Sequence, residues 1–244
     1  MGKAANVLRG LLGATLKRNQ PSAYDRLFAP TSAGGPSGLA DAPRPFVFRV
    51  RHLDGRVVTA GEKFSFELNL FDLREETVES FIRGISELTG VDQVEQRRFS
   101  LSLVPTSTHI QKARVDFLTP TELKGIDRIV ARPEFSILFG RIRDRLSTLS
   151  ALYGSGPLPI DFSGLGERAA LVQMTRCDIA TVAVSRRSGR TGQTHPIGGF
   201  VGSAEYEGEL AEFLPYLEAA RWTGVGRQTV WGKGEISVTA LPAI

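Results

Sequence analysis

Two Gly-x-Gly elements, Gly224-Val225-Gly226 and Gly232-Lys233-Gly234, stand five residues apart near the C-terminus and run into the alternating Glu235-Ile236-Ser237-Val238. Glycine is needed where a backbone takes positive φ or comes close to another chain, so the pair demands a tightly turned segment ahead of a strand. Arg227 and Lys233 fall inside it. Backbone and cations so arranged predict an anion-binding loop, with Gly224, Gly226, Arg227, Gly232, Lys233 and Gly234 as its contacts.

Periodicity gives the order of elements around that loop. Ala113 to Leu118 alternates as a strand, with Val115 and Phe117 on one side. A helix is predicted from about Pro133 to Tyr153, where Phe135, Leu138, Phe139, Ile142, Leu146, Leu149 and Leu152 recur at three and four residues. After the Gly/Pro-rich break at Gly154 to Pro159 come strands around Met174 to Arg186 and Ile197 to Tyr206. A helix bearing Leu210, Phe213, Leu214 and Leu217 and a last strand from about Thr229 to Val238 follow. The order β-α-β-β-α-β is the ferredoxin-like arrangement.

The residues before about 108 repeat the plan without its opening strand. Val7, Leu8, Leu11 and Leu12 mark a short amphipathic helix, and the Pro/Gly/Ser-rich Pro30 to Pro45 a long loop. Strands at Phe46 to Arg51 and Glu62 to Phe71, a helix with Val78, Phe81, Ile82, Ile85 and Leu88, and a strand with Phe99, Leu101 and Leu103 complete it. The expected fold is α+β, two tandem ferredoxin-like domains at 1–108 and 109–244. A half without its first strand leaves a sheet edge open. Either the strand was lost from this chain or another chain supplies it, and a homodimer is one partner expected on this ground.

Composition narrows the chemistry. Basic residues number 24 arginines against six lysines in a chain of net charge +4. Arginine's planar fork matches phosphate and stacks on bases, as a nucleic-acid groove requires; a GC-rich genome inflates arginine equally. Arg176, Arg186, Arg187 and Arg190 cluster around one strand and loop, and Glu205, Glu207, Glu209, Glu212 and Glu218 just after, which predicts a basic and an acidic face. Cys177 is the only cysteine, and histidines occur only at 52, 109 and 195, so neither a cofactor nor a metal is expected. The chain has no P-loop, no Gly-x-Ser-x-Gly elbow and no His-Glu-x-x-His pair. No run of 18 apolar residues and no secretory or lipidation signal is present, so no membrane contact and a cytoplasmic location are expected.

The glycine segment resembles the signature of the RAMP superfamily, the repeat-associated RNA-binding proteins of CRISPR systems. The stretch from His195 to Gly208 resembles the preceding hairpin strand in the CRISPR repeat-RNA processing endoribonucleases, the sixth Cas family. Leu8-Arg9-Gly10-Leu11-Leu12-Gly13 is similar to the opening of that family's first helix, and Pro43-Arg44-Pro45-Phe46-Val47 to the entry of its second strand. The resemblance implies metal-independent cleavage of CRISPR repeat RNA, in which the ribose 2′-hydroxyl attacks the adjacent phosphate and leaves a 2′,3′-cyclic phosphate and a mature crRNA. Other Cas effector subunits are implied partners. The alternative reading is a RAMP-type RNA-binding subunit without cleavage.

Such cleavage asks for a base, an acid and cations about the phosphorane. Many family members carry a histidine in or just after the first helix, whereas Ala4 to Pro45 holds none here. Lys17, Arg18 and Tyr24 lie in that region, and His52 follows the second strand; His52, Tyr24 and Lys17 are the catalytic candidates, with His195 as alternative. An exposed turn histidine before Asp54-Gly55 is the competing reading of His52. Arg186, Arg187, Arg190 and His195 are expected to bind RNA from a Ser/Gly/Thr-rich hairpin. His109, in the linker, reads as structural, and Arg141, Arg143 and Arg145 as the solvated edge of a helix. Trp231 reads as a core aromatic in the terminal strand or a platform for a base.

Overall fold

The computed structural model describes residues 3–30, 42–88, 91–105, 108–125, 128–183, 185–187, 194–196 and 198–241, with the backbone alone at 185–187 and 194–196. Helix α1, Lys3–Asn19, turns Ala5, Leu8, Leu12 and Leu16 inward at spacings of three and four. Helix α2, Pro21–Phe28, follows with proline in its first turn. Strands β1, Phe46–Arg49, and β2, Glu67–Leu70, pair antiparallel with Phe46 opposite Leu70. Helix α3, Glu75–Ser86, starts where the buried Asp72 carboxylate accepts from Arg74 Nε at 2.8 Å and from Thr77 Oγ1 at 2.9 Å. One apolar cluster unites these elements, with the Phe46 ring against Phe28, Phe48 and Phe81 and, from far along the chain, Val230.

The second half is built on β3, Lys112–Thr121, followed by helices α4, Phe135–Tyr153, and α5, Phe162–Ala169. Strand β4, Gln173–Val182, and strand β7, Gly199–Glu207, are joined through the short pair β5, Ser185–Arg187, and β6, Thr194–Pro196. Helix α6, Leu214–Thr223, and strand β8, Ile236–Leu241, close the chain. The sheet order β4-β7-β3-β8, antiparallel throughout, is that of a ferredoxin-like unit. Along β3 every second residue, Ala113, Val115 and Phe117, is buried with Phe135, Leu138, Phe139 and Leu217 of the helices. The other face of the sheet stays open, and β4 has no buried residue. The chain is thus α+β with tandem ferredoxin-like halves, and no described strand precedes α1.

Several expected elements differ. The strand predicted at Phe99 to Leu103 does not form: Phe99 and Leu101 have no buried face to join, and the Phe99 ring lies 4.4 Å from that of Trp222. The strand at Glu62 to Phe71 shrinks to β2. The last strand begins at Ile236, because Gln228 and Gly232, both with positive φ, close Thr229–Trp231 into a 3-10 turn. Helix α1 is longer than predicted, and α2 and α5 were not predicted. Among the described side chains the basic and acidic faces do not separate. Glu205 is the cross-strand neighbour of both Arg176 and Arg114, Lys112 Nζ lies 3.3 Å from Glu207, and Arg168 Nε donates to Glu212 at 2.7 Å. Among the described residues no helix is long and apolar enough to cross a membrane.

Candidate active site around the glycine loop

Gly224, Gly226, Gly232 and Gly234 all have positive φ, between 68° and 80°. Their close approaches are to the protein itself. A Cβ on Gly226 would strike the Glu122 carbonyl, one on Gly234 the Val225 carbonyl, and one on Gly232 would lie 2.7 Å from the Ala5 side chain of α1. Main-chain bonds fix the loop, from Val225 N to Gly234 O at 2.9 Å and from Arg227 N to Glu122 O at 3.0 Å. Arg227 Nη1 also meets Glu122 Oε1 at 2.8 Å, leaving the half-exposed guanidinium at the loop's rim.

Lys233 points the other way. It is 1% exposed, and its ammonium donates to Gly198 O at 2.5 Å and to Gln228 Oε1 at 3.0 Å. Burial lowers its pKa to about 8. Gly198 stands two residues beyond β6, so Lys233 ties the glycine loop to the base of the hairpin. In that hairpin Arg186 faces His195 in register. The side chains of Arg186, Arg187 and His195, and the whole of Arg190, lie outside the described residues.

The N-terminus of α1 reaches the same place. Ala4 N donates to Asp54 Oδ1 at 3.0 Å, next to the 3-10 turn Arg51–Leu53, and Arg51 Nε lies 3.6 Å from Glu235 Oε1. His52 is exposed in that turn, with Nε2 2.9 Å from the Ser65 carbonyl. Since a carbonyl only accepts, Nε2 carries the proton in the neutral ring and Nδ1 holds the lone pair. One turn into α1, the Arg9 guanidinium sits over the rings of Phe28 and Trp231, at 5.3 and 5.6 Å. Trp231 is half-buried against the N-terminal core.

The structure does not bring Lys17 and Tyr24 to this point. Lys17 Nζ lies over the Tyr24 ring at 5.7 Å. That pair sits at the far end of α1, about 18 Å along the axis from Ala5 at 1.5 Å per residue. His109 Nδ1 lies 3.5 Å from Glu209, at the surface. Two of the three arginines of α4 are tethered rather than solvated, while Arg141 is exposed as expected. Arg143 Nη1 donates to Phe162 O at 2.6 Å, and Arg145 Nε to Thr223 O at 2.9 Å. Arg49 of β1 donates to the carbonyls of Arg221 and Trp222 at 2.8 and 3.0 Å, so two arginines cap the C-terminus of α6 just before the glycine loop. Burial and the neighbouring Arg49 bring the Arg145 pKa down to about 10. Sequence reasoning missed Arg9, Arg49 and Arg51. Only Arg9 had a local signal, standing four residues after Ala5 on the inward stripe of α1.

Among the described residues no three of His, Cys, Asp and Glu are grouped to hold a metal ion. The model of the family described as CRISPR-associated endoribonuclease Cas6 matches residues 115–236, half of the chain. A second family model, described as an N-terminal domain, matches residues 3–119. No curated protein matches the sequence. Among solved structures, Thermus thermophilus Cas6 (TTHB231) is similar over 95% of this chain and 89% of its own, at 20% identity and a TM-score of 0.56. Its product complex is similar over 96% and 93%, at 20% identity and 0.58. The Cas6 (TTHA0078) product complex is similar over 97% and 93%, at 17% identity and 0.55. At these identities the likeness is one of fold.

Proposed function

Because the chain belongs to the Cas6 family of CRISPR-associated endoribonucleases, we propose that it cuts CRISPR repeat RNA at the glycine loop, with the RNA's own 2′-hydroxyl as nucleophile. The 2′-oxygen bonds to the adjacent phosphorus and the bond to the 5′-oxygen breaks, giving a 2′,3′-cyclic phosphate and a 5′-hydroxyl. The 2′-proton passes to a base, and a proton is returned to the leaving oxygen. His52 is the base in this reading. The observation that carries it is the Ser65 contact at 2.9 Å, which orients the ring and leaves Nδ1 unprotonated.

Arg227, within the loop, and Arg51, beside Glu235 at its end, supply positive charge to the phosphorane. Arg186, Arg187, Arg190 and His195 hold RNA on the hairpin. Lys233 and the four glycines act beneath the surface, fixing the loop against α1 and the hairpin base rather than contacting phosphate. The test is incubation of the purified chain with a cognate repeat in excess chelator. The proposal expects a single cut whose upstream product resists phosphatase until its cyclic end is opened; a free 3′-phosphate or no cut contradicts it. The separation of Lys17 and Tyr24 from His52 favours a second reading, RNA binding without cleavage, and in that case tight binding without any cut is expected.

A further inference from the structure

A pocket of about 690 Å³ lies among the turn after β3, the first half of α4 and α5. Among the described residues that line it, four are cations, Lys124, Arg128, Arg141 and Arg143, and none is acidic. Arg143 is held in place by Phe162, whose carbonyl it meets at 2.6 Å and whose ring lies 5.0 Å away. Asp144, behind the pocket, offsets part of this charge, at 2.9 Å from Arg143 and 3.5 Å from Arg141. Among the described residues Lys124 and Arg128 pair with no carboxylate, and both are exposed. The wall is low at Gly140, where a Cβ would meet nothing within 4 Å.

The pocket adjoins the glycine loop. Glu122, two residues before Lys124, accepts from the Arg227 backbone at 3.0 Å and pairs with its guanidinium. A cluster of cations from two elements, the turn after β3 and helix α4, in an open space far larger than one phosphate, suits a polyanion with repeated charges.

We propose that this pocket binds the phosphodiester backbone of the RNA away from the scissile phosphate, so that the strand leaves the glycine loop past Arg227 and enters between Lys124, Arg128 and the α4 arginines. The proposal rests on the RNA-processing reading above. It is tested by fluorescence titration of repeat RNA at several salt concentrations. Each phosphate contact contributes roughly 0.7–0.9 to the slope of log affinity against log salt, so the double variant Lys124→Ala/Arg128→Ala should lower the slope by about 1.4–1.8. Gly140→Leu, which fills the space and leaves every charge, should also weaken binding. The charge-matched control Arg97→Ala/Arg98→Ala, outside the pocket, should leave the slope intact. An unchanged slope in the pocket variant, or an equal fall in the control, overturns the proposal. Failure of the wild-type chain to bind repeat RNA would instead remove the reading beneath it, and the proposal falls with that reading.

Discussion

Lys233 keeps its ammonium where almost no solvent reaches, and the cost of that burial varies with pH. Its folded pKa is lowered to about 8 from the ordinary 10.5. Below about pH 8 the lysine is protonated in both states and the burial penalty is full. Between these values the unfolded chain holds more of the proton, so the contribution to stability rises with pH and levels off above 10.5. Denaturant unfolding of wild type and Lys233→Met should therefore differ by an amount that changes between pH 8 and 10.5, and a constant difference would contradict the assignment. His52→Ala should slow cleavage by roughly 10²–10⁴-fold, the loss typical of a general base. Lys17→Ala and Tyr24→Phe, at the other end of α1, should cost less in single-turnover rate. The reverse ranking would move the site along the helix. The positions of His52 and Arg227 could be anticipated from sequence, because a turn and a glycine motif announce them locally. The burial of Arg145 could not, since its partner, the Thr223 carbonyl, is 78 positions away.

The glycine loop was legible as an element, and what it approaches was not. Positive φ is written in the glycines, but the Ala5 contact of Gly232 is set by how α1 docks. Gly232→Ala combines left-handed backbone with a clash, and should destabilise folding by on the order of 1–3 kcal/mol. Adding Ala5→Gly should recover the steric part alone. Equal stability of wild type and Gly232→Ala, measured by urea midpoint, would show that the loop does not lean on α1. Strongly periodic, deeply buried elements such as β3, β7 and α4 were readable because alternation and helical spacing report burial directly. Phe99 and Leu101 alternate equally well. Their apolar side chains face no covering layer, so pattern alone overstated them.

Across the whole molecule the two halves meet at the end of α6. Arg49 and Asn69 donate to its last carbonyls, and the Phe99 ring stacks obliquely on Trp222. This contact places the N-terminus of α1 and the His52 turn beside a loop that belongs to the other half. A double-mutant cycle on Phe99→Ala and Trp222→Ala should give a coupling of about 0.5–1.5 kcal/mol in unfolding experiments; zero coupling would deny the docking. The ferredoxin-like order of the second half was legible, and the reduced sheet of the first was not, because its strands depend on packing against α1 and α3. The division near residue 108 is our proposal, supported by two apolar clusters that fall on either side of it apart from Leu103, Val230 and Trp231, each of which packs with the other half.

In the proposed reaction the RNA supplies its own nucleophile at the glycine loop. The most direct measurement replaces the 2′-hydroxyl of the scissile nucleotide by hydrogen in an otherwise unaltered repeat, and follows binding and single-turnover cleavage together. Cleavage should be lost while affinity stays nearly that of the unmodified RNA, because the nucleophile is gone and every phosphate remains. Cleavage of the 2′-deoxy repeat at an undiminished rate would contradict this reaction.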